Sequence, residues 1–122
     1  ILRVGEVMSI AHGVNQNETV ESVYQFFVKG NFNMTCVVDV NNHLKGIISL
    51  KDINRVPREM WNHTIKDYMH RARELAYADE NLSECLYKMA RSNQESLPVV
   101  KSSDDLKVIG QISRDVIIDK MH

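Results

Sequence analysis

The chain repeats itself, and this duplication constrains its fold more than any other feature of the sequence. The corresponding segments are residues 4–8 with 65–69, 18–23 with 80–85, 36–38 with 97–100, and 46–49 with 110–113. The offset is 61 residues between Val4 and Ile65 and 64 residues between Gly46 and Gly110. An internal repeat of this period indicates two copies of one structural unit. Because a unit of about 60 residues buries only roughly 60% of its unfolded surface, we expect the copies to share a core.

The composition is that of an ordinary globular protein and argues against two classes of partner. Of the 122 residues, 43% are hydrophobic and 25% are charged, and the net charge is −1. No block of Lys and Arg supplies the positive surface that binds nucleic acid. No apolar run approaches the roughly 20 residues that span a bilayer, and the sequence shows no signal peptide. The chain starts with Ile1 rather than Met, so we expect it to be a piece of a longer protein.

The sequence contains no motif typical of catalysis or metal binding. It has no HExxH, no GxSxG, no phosphate-binding glycine loop and no Cys/His spacing for zinc. Cys36 lies in an apolar run and Cys85 on an apolar helix stripe, so both are expected to be buried thiols in a reducing cytosol. The chain is therefore predicted to be neither an enzyme nor a metalloprotein, and to require no cofactor.

Hydrophobic periodicity predicts a β-α-β-β-α order in each copy. Apolar residues at helical spacing, with Thr19 and Asn81 at the N-cap positions, indicate one amphipathic helix per copy. We expect Gly30 to end the first of these helices and Asn93, after Ser92, to end the second. The predicted elements are strands near 13–15 and 74–78, helices at 20–28 and 82–90, hairpins at 35–50 and 97–112, and closing helices at 51–56 and 114–121.

These segments together resemble the cystathionine-β-synthase (CBS) domain, and the tandem resembles a CBS pair, or Bateman module. The motif that carries the resemblance is Gly, an apolar pair, Ser, two residues, Asp and an apolar residue, at 46–53 (GIISLKDI). The resemblance covers essentially the whole chain. It implies an α+β fold of two β-α-β-β-α repeats with pseudo-two-fold symmetry and sheets on a shared core. The implied division is repeat 1 at 1–56, a linker at 57–63 and repeat 2 at 64–122.

The resemblance also implies a regulatory module that binds AMP, ADP, ATP or S-adenosylmethionine in two clefts between the repeats and forms homodimers. The first cleft would use Ser49, Lys51 and Asp52 opposite His70, Arg71, Arg73, Leu75, Gln94, Glu95 and Ser96. The second would use Ser113, Arg114 and Asp115 opposite Ser9, Ile10, Ala11, Val14, Phe32, Asn33 and Met34.

Two interpretations of Ser49 and Asp52 remain open. A carboxylate accepts hydrogen bonds from both ribose hydroxyls, and a Ser at a helix start lies beside free backbone N–H groups that can face a phosphate. Alternatively, Ser-x-x-Asp is a capping box that needs no ligand. The basic residues His70, Arg71 and Arg73, with Lys51, can neutralise phosphates. The alternative for Arg71 and Arg73 is solvation or pairing with Glu74 and Asp79.

The second copy departs from the motif. One residue, not two, separates Ser113 from Asp115. Loss of one residue in the first turn rotates a side chain by about 100° around the helix axis. Either the Asp115 carboxylate leaves the cleft, or the helix start shifts to compensate. Asp52 is therefore the stronger candidate for ligand contact.

Two function classes follow: a ligand-sensing regulatory module, or a ligand-free structural and dimerisation module. The segment 52–61 is similar to the linker of CBS pairs attached to archaeal site-2-type membrane metalloproteases. A stand-alone CBS protein and a transporter-attached pair are the alternatives. In each case we expect this piece in the cytoplasm or on the cytoplasmic face of a membrane.

Overall fold

The computed structural model describes residues 1–10 and 13–121 and shows a mixed helix and strand fold, which confirms the predicted class. The helices are α1 (Val4–Val7), α2 (Val20–Gly30), α3 (Leu50–Asn54), α4 (Leu82–Ser92) and α5 (Arg114–Lys120). The strands are β1 (Val14–Asn15), β2 (Met34–Val38), β3 (Leu44–Ser49), β4 (Ala76–Tyr77), β5 (Ser96–Val100) and β6 (Val108–Ser113). Two short 3-10 helices cover Arg58–Met60 and Ile65–Asp67. Among the described residues, no helix is long and apolar enough to cross a membrane.

The chain forms two compact units whose boundaries differ from those of the sequence repeats. The β1–β3 unit is Gly13–Arg71, and the β4–β6 unit is Ile1–His12 with Ala72–His122. Each unit therefore contains the sheet of one repeat and the opening segment of the other. The opening segments are residues 1–12 of the first repeat and residues 64–71 of the second. Val4 and Ile65 are equivalent in the two repeats, and both are fully buried. Val4 belongs to the core of the β4–β6 unit, and Ile65 to the core of the β1–β3 unit.

Each unit contains one three-stranded sheet with the same topology. The orders are β1-β2-β3 and β4-β5-β6, with the first pair parallel and the second antiparallel. The hairpin registers correspond, since Met34 pairs with Ser49 in one sheet and Ser96 with Ser113 in the other. The predicted strands and hairpins are confirmed.

The two long helices begin after the predicted N-caps and end at the predicted positions. Thr19 Oγ1 accepts a hydrogen bond from Ser22 N at 3.1 Å, and Asn81 Oδ1 accepts one from Glu84 N at 2.8 Å. At the C-terminal end of α2, Asn31 rather than Gly30 adopts the left-handed conformation, with φ of 55°.

The helix thus ends at Gly30, as predicted, and Asn31 provides the left-handed turn that follows it, a conformation that Asn tolerates. Gly30 instead leaves room for an aromatic ring, since a Cβ there would lie 2.1 Å from the Phe32 side chain. In the second repeat Asn93 has the left-handed role, as predicted, with φ of 55°.

Each unit has its own apolar cluster of buried side chains. The largest fully buried residues include Phe27, Ile48 and Ile53 in the β1–β3 unit, and Leu97 and Ile117 in the β4–β6 unit. Burial of one such side chain stabilises a fold by about 1.5–3 kcal/mol.

The two thiols are buried, as predicted from the sequence. Burial raises the pKa of Cys36 to about 12. The pKa of Cys85 is raised to about 11, chiefly by burial.

Candidate functional site

The junction between β3 and α3 is built around Ser49, which is both the last residue of the strand and the N-cap of the helix. Its side-chain oxygen accepts a hydrogen bond from Asp52 N at 3.0 Å. The Asp52 carboxylate makes the reciprocal contact, since its Oδ2 accepts a hydrogen bond from Ser49 N at 2.8 Å. The capping box that the sequence left as an alternative is therefore formed.

A second segment brings His70 onto this junction. The backbones of Ile47 and His70 exchange two hydrogen bonds, each of 2.8 Å, next to the edge of β3. The approach requires glycine at position 46, since a Cβ there would lie 2.5 Å from the His70 carbonyl oxygen. His70 Nε2 then lies 2.8 Å from Asp52 Oδ1. Asp52 thus meets a side chain 18 positions further along the chain.

Both oxygens of the Asp52 carboxylate are engaged within the β1–β3 unit. The side chain is only 11% exposed, and Oδ1 also lies 4.0 Å from Nη1 of Arg55. The carboxylate lines a groove of about 260 Å³. The groove is formed by Asp52, Arg55, Val56, Pro57, Asp67, Tyr68 and His70.

Five of the seven lining residues are not among the predicted site residues, namely Arg55, Val56, Pro57, Asp67 and Tyr68. Arg55 follows Asp52 by one helical turn, so the spacing i, i+3 could have indicated it. Asp67 and Tyr68 reach the groove only because the opening segment of the second repeat packs in the β1–β3 unit.

Two backbone donors at the start of α3, Leu50 N and Asp52 N, have acceptors inside the unit. Asp52 N is held by Ser49 Oγ, and Leu50 N donates to the carbonyl oxygen of Asn33 at 2.9 Å. The helix α3 has only five residues, Leu50–Asn54, so most of its residues belong to the first turn. These two N–H groups are therefore not the free phosphate donors that the sequence argument assumed.

The candidate residues are distributed over both units. The β1–β3 unit contains Ser49, Lys51, Asp52, His70 and Arg71, with Val14, Phe32, Asn33 and Met34. The β4–β6 unit contains Arg73, Leu75, Gln94, Glu95 and Ser96, with Ser9, Ile10, Ser113, Arg114 and Asp115. Ala11 lies outside the described residues.

Within the β4–β6 unit, Gln94 joins several predicted residues. Its Oε1 accepts hydrogen bonds from Arg73 N at 2.9 Å and Glu74 N at 3.2 Å. Its Nε2 donates to the Ser96 carbonyl oxygen at 3.3 Å. The Glu74 carboxylate, suggested as a partner for the arginines at 71 and 73, pairs with Arg91.

In the described residues, the junction between β6 and α5 is arranged differently from the one at Asp52. Ser113 is the N-cap, as Ser49 is, but its side-chain oxygen accepts from Val116 N at 3.4 Å. Valine therefore occupies the position that Asp52 has in α3, and Asp115 is exposed one residue earlier. Of the two alternatives, the helix start has not shifted, so the carboxylate direction changes.

The approach of the opening segment is nevertheless the same. Ser9 and Gln111 exchange two backbone hydrogen bonds of 2.9 Å. Gly110 permits this contact, since a Cβ there would lie 2.8 Å from the Ser9 carbonyl oxygen. The next residue, Ile10, is 77% exposed. Ser9 thus occupies the position in the β4–β6 unit that His70 occupies in the β1–β3 unit.

Solved structures place this architecture in a known class, the tandem CBS pair. The CBS domains of a transcriptional regulator from Streptococcus pneumoniae superpose with a TM-score of 0.87 at 20% identity, over 98% of both chains. CBSX2, a CBS-pair protein from Arabidopsis thaliana solved in complex with AMP, gives a TM-score of 0.84 at 20% identity. That similarity covers 99% of this chain and 96% of CBSX2.

A third structure is more similar in sequence. The CBS domain pair of protein MJ0100, in complex with 5′-methylthioadenosine and S-adenosyl-L-methionine, is 26% identical with a TM-score of 0.83. The similarity covers 99% of this chain and 96% of the MJ0100 domain pair. The family model of the CBS domain matches residues 4–59 and 65–122, and the chain belongs to this family. A comparison with curated protein sequences finds no significant match.

Proposed function

We propose that this CBS pair is a regulatory module that binds an adenosyl ligand, namely AMP, ADP, ATP or S-adenosylmethionine, through Asp52. The observation that carries the proposal is the position of the Asp52 carboxylate, held at the start of α3 on the wall of a groove. The relative with 26% identity, solved with two adenosyl compounds, supports the same ligand class.

The chemistry of the groove fits a nucleoside. A carboxylate accepts hydrogen bonds from both ribose hydroxyls, and a bond to a charged acceptor contributes roughly 1.5–3 kcal/mol. Val56, Pro57 and Tyr68 provide apolar and aromatic surface for a base. Arg55 is the cationic candidate for a phosphate or for the carboxylate of S-adenosylmethionine.

A second candidate function, a ligand-free structural module, is favoured by a specific observation. Both oxygens of Asp52 already have partners, in the capping box and at His70. A carboxylate that serves only the fold would show the same contacts. The equivalent position of α5 carries valine, so the carboxylate is not repeated.

Thermal unfolding with the four ligands, together with 5′-methylthioadenosine, separates the two functions. A ligand at 100 times its Kd stabilises the folded state by about 2.7 kcal/mol. For a domain of this size we expect an increase in Tm of several degrees. In Asp52→Ala the increase disappears, whereas the matched variant Asp115→Ala retains it. A ligand-independent Tm for every compound would support the structural module, and equal shifts in both variants would exclude Asp52 as the ribose acceptor.

We further propose that the module acts on a fused or partner effector and is not itself an enzyme. A membrane metalloprotease and a transporter are the candidate effectors, and the cytoplasm, where adenosyl compounds occur, is the proposed compartment.

The module would act as a homodimer. Light scattering on the purified chain tests the dimer, which is contradicted by a mass of 14.0 kDa at micromolar concentration.

A further inference from the structure

We infer that His70 is a gate on Asp52. Its imidazole occupies the carboxylate oxygen that an adenosyl ligand needs, and protonation strengthens this contact, so ligand affinity falls on acidification. The gate presupposes the proposed function, because it regulates access to the same carboxylate.

Each oxygen of the Asp52 carboxylate already accepts a hydrogen bond or faces a partner, so a ribose can bind only if one partner is displaced. Ser49 N lies 2.8 Å from Oδ2, and His70 Nε2 lies 2.8 Å from Oδ1. The carboxylate is 11% exposed, so little of it remains for two ribose hydroxyls. The contact with Ser49 is part of the helix start and is maintained by the backbone of α3. The imidazole is 61% exposed and is therefore the partner that a ligand can displace.

The backbone of His70 is fixed, so the imidazole can leave Asp52 only by rotation of the side chain. Two hydrogen bonds of 2.8 Å between the backbones of Ile47 and His70 fix the position of the His70 Cα atom. The contact of Gly46 with the His70 carbonyl oxygen leaves no room for the backbone to move inward. Opening therefore changes the imidazole rotamer and leaves the sheet intact, a motion of picoseconds to nanoseconds for exposed side chains.

The charged and titratable groups around the contact make the imidazole the pH-sensitive element. Arg55, on α3, lies 4.0 Å from Asp52 Oδ1, while Asp67 and Tyr68 line the groove from the opening segment. Guanidinium, carboxyl and phenol groups ordinarily keep one charge state between about pH 5.5 and 7.5, whereas imidazole changes its charge there. A protonated imidazole donates a charge-assisted hydrogen bond, which is stronger than a neutral one.

The test measures the Kd of 5′-methylthioadenosine by calorimetry at pH 7.5 and 5.5. This probe carries no phosphate, so its own charge does not change in this range. For the wild type, acidification should weaken binding by about two- to fivefold, the modest range of an exposed ion pair. His70→Gln retains a neutral donor and should give a ratio of the two Kd values near unity. His63→Gln, an exposed histidine of the same unit, should behave as the wild type.

The outcomes distinguish the gate from the proposed function. Equal Kd ratios in the wild type and His70→Gln, with measurable binding in both, would overturn the gate and leave adenosyl binding in place. Absence of binding of 5′-methylthioadenosine to the wild type at pH 7.5 would overturn the gate. The proposed function fails only if AMP, ADP, ATP and S-adenosylmethionine also do not bind.

Discussion

The starts of α3 and α5 are equivalent in sequence position and differ in chemistry. Both follow a strand that ends in serine, and both receive an opening segment through a glycine contact. At α3 the third helical residue is Asp52, and the opening segment delivers His70 to it. At α5 the third helical residue is Val116, and the opening segment carries Ser9. The scaffold is thus duplicated, whereas within residues 1–10 and 13–121 the contact between a carboxylate and an imidazole is found at the α3 junction.

The largest expected effect tests whether burial in α3 and in α5 contributes equally to the free energy of unfolding. Ile53 and Ile117 are the fully buried isoleucines of α3 and α5. Replacement of either by alanine should lower the free energy of unfolding by about 2–5 kcal/mol, because each leaves a cavity. Urea denaturation measures the loss. The control is Ile118→Ala, at an exposed position of α5, which should cost far less. A negligible loss for one buried isoleucine would break the equivalence.

The next effect concerns the glycine contacts that admit the opening segments. Gly46→Ala and Gly110→Ala each place a Cβ under 3.0 Å from a backbone carbonyl oxygen. We expect a loss of about 1–3 kcal/mol in each case, since overpacking forces the backbone apart. In Gly30→Ala the atoms nearest to the new Cβ belong to the ring of Phe32, which is 51% exposed and can rotate. Chemical denaturation that ranks Gly30→Ala as the most damaging would contradict this account.

The two aspartates should differ in their contribution to stability without ligand. Asp52→Ala removes the reciprocal capping contact with Ser49 and should cost about 0.5–2 kcal/mol. Asp115→Ala, at an exposed position without the capping role, should stay within about 0.5 kcal/mol of the wild type. Thermal unfolding of the two ligand-free variants checks the difference. Equal losses would show that the capping box contributes nothing measurable.

The smallest effect distinguishes the two hairpin turns by their response to pH. Hydrogen bonds from the backbone N–H groups of His43 and Asn41, with charges at His43 and Lys45, hold the pKa of Asp39 below its ordinary value of 3.8. A depressed folded-state pKa gives stability that is present above the ordinary value and is lost as pH falls through the folded one. Asp39→Asn should therefore show a smaller acid-side loss of Tm than the wild type.

The matched variant for that turn is Asp105→Asn, in the hairpin of the β4–β6 unit. Asp105 accepts a hydrogen bond from Lys107 N at 3.1 Å and lies 3.9 Å from Lys101 Nζ. A change as large as that of Asp39→Asn would remove the distinction between the turns.

The local elements were predictable because their signals lie within a few residues of each other. The apolar spacing along 20–28 and 82–90 gave the two long helices, and Thr19 and Asn81 gave their starts. The end of α2 was predicted at Gly30, where the helix does end. The sequence did not indicate that Asn31 takes the left-handed backbone while Gly30 makes room for Phe32.

The candidate site was predictable only in part, for the same reason. The capping box of Ser49 and Asp52 could be anticipated, since its partners are three residues apart. The contact of Asp52 with His70 is not encoded in local spacing. It depends on the opening segment of the second repeat packing beside β3, where two backbone hydrogen bonds set its register.

The sequence by itself determined the duplication, the order of strands and helices, the caps and the family of this protein. These follow from periodicity and from residue types that act on their neighbours. Only the tertiary structure decided that the opening segments pack in the unit of the other repeat, with Val4 and Ile65 fully buried there. The physical reason is that burial of an apolar side chain has no preferred direction along the chain, and a sheet edge accepts any segment that offers matching hydrogen bonds.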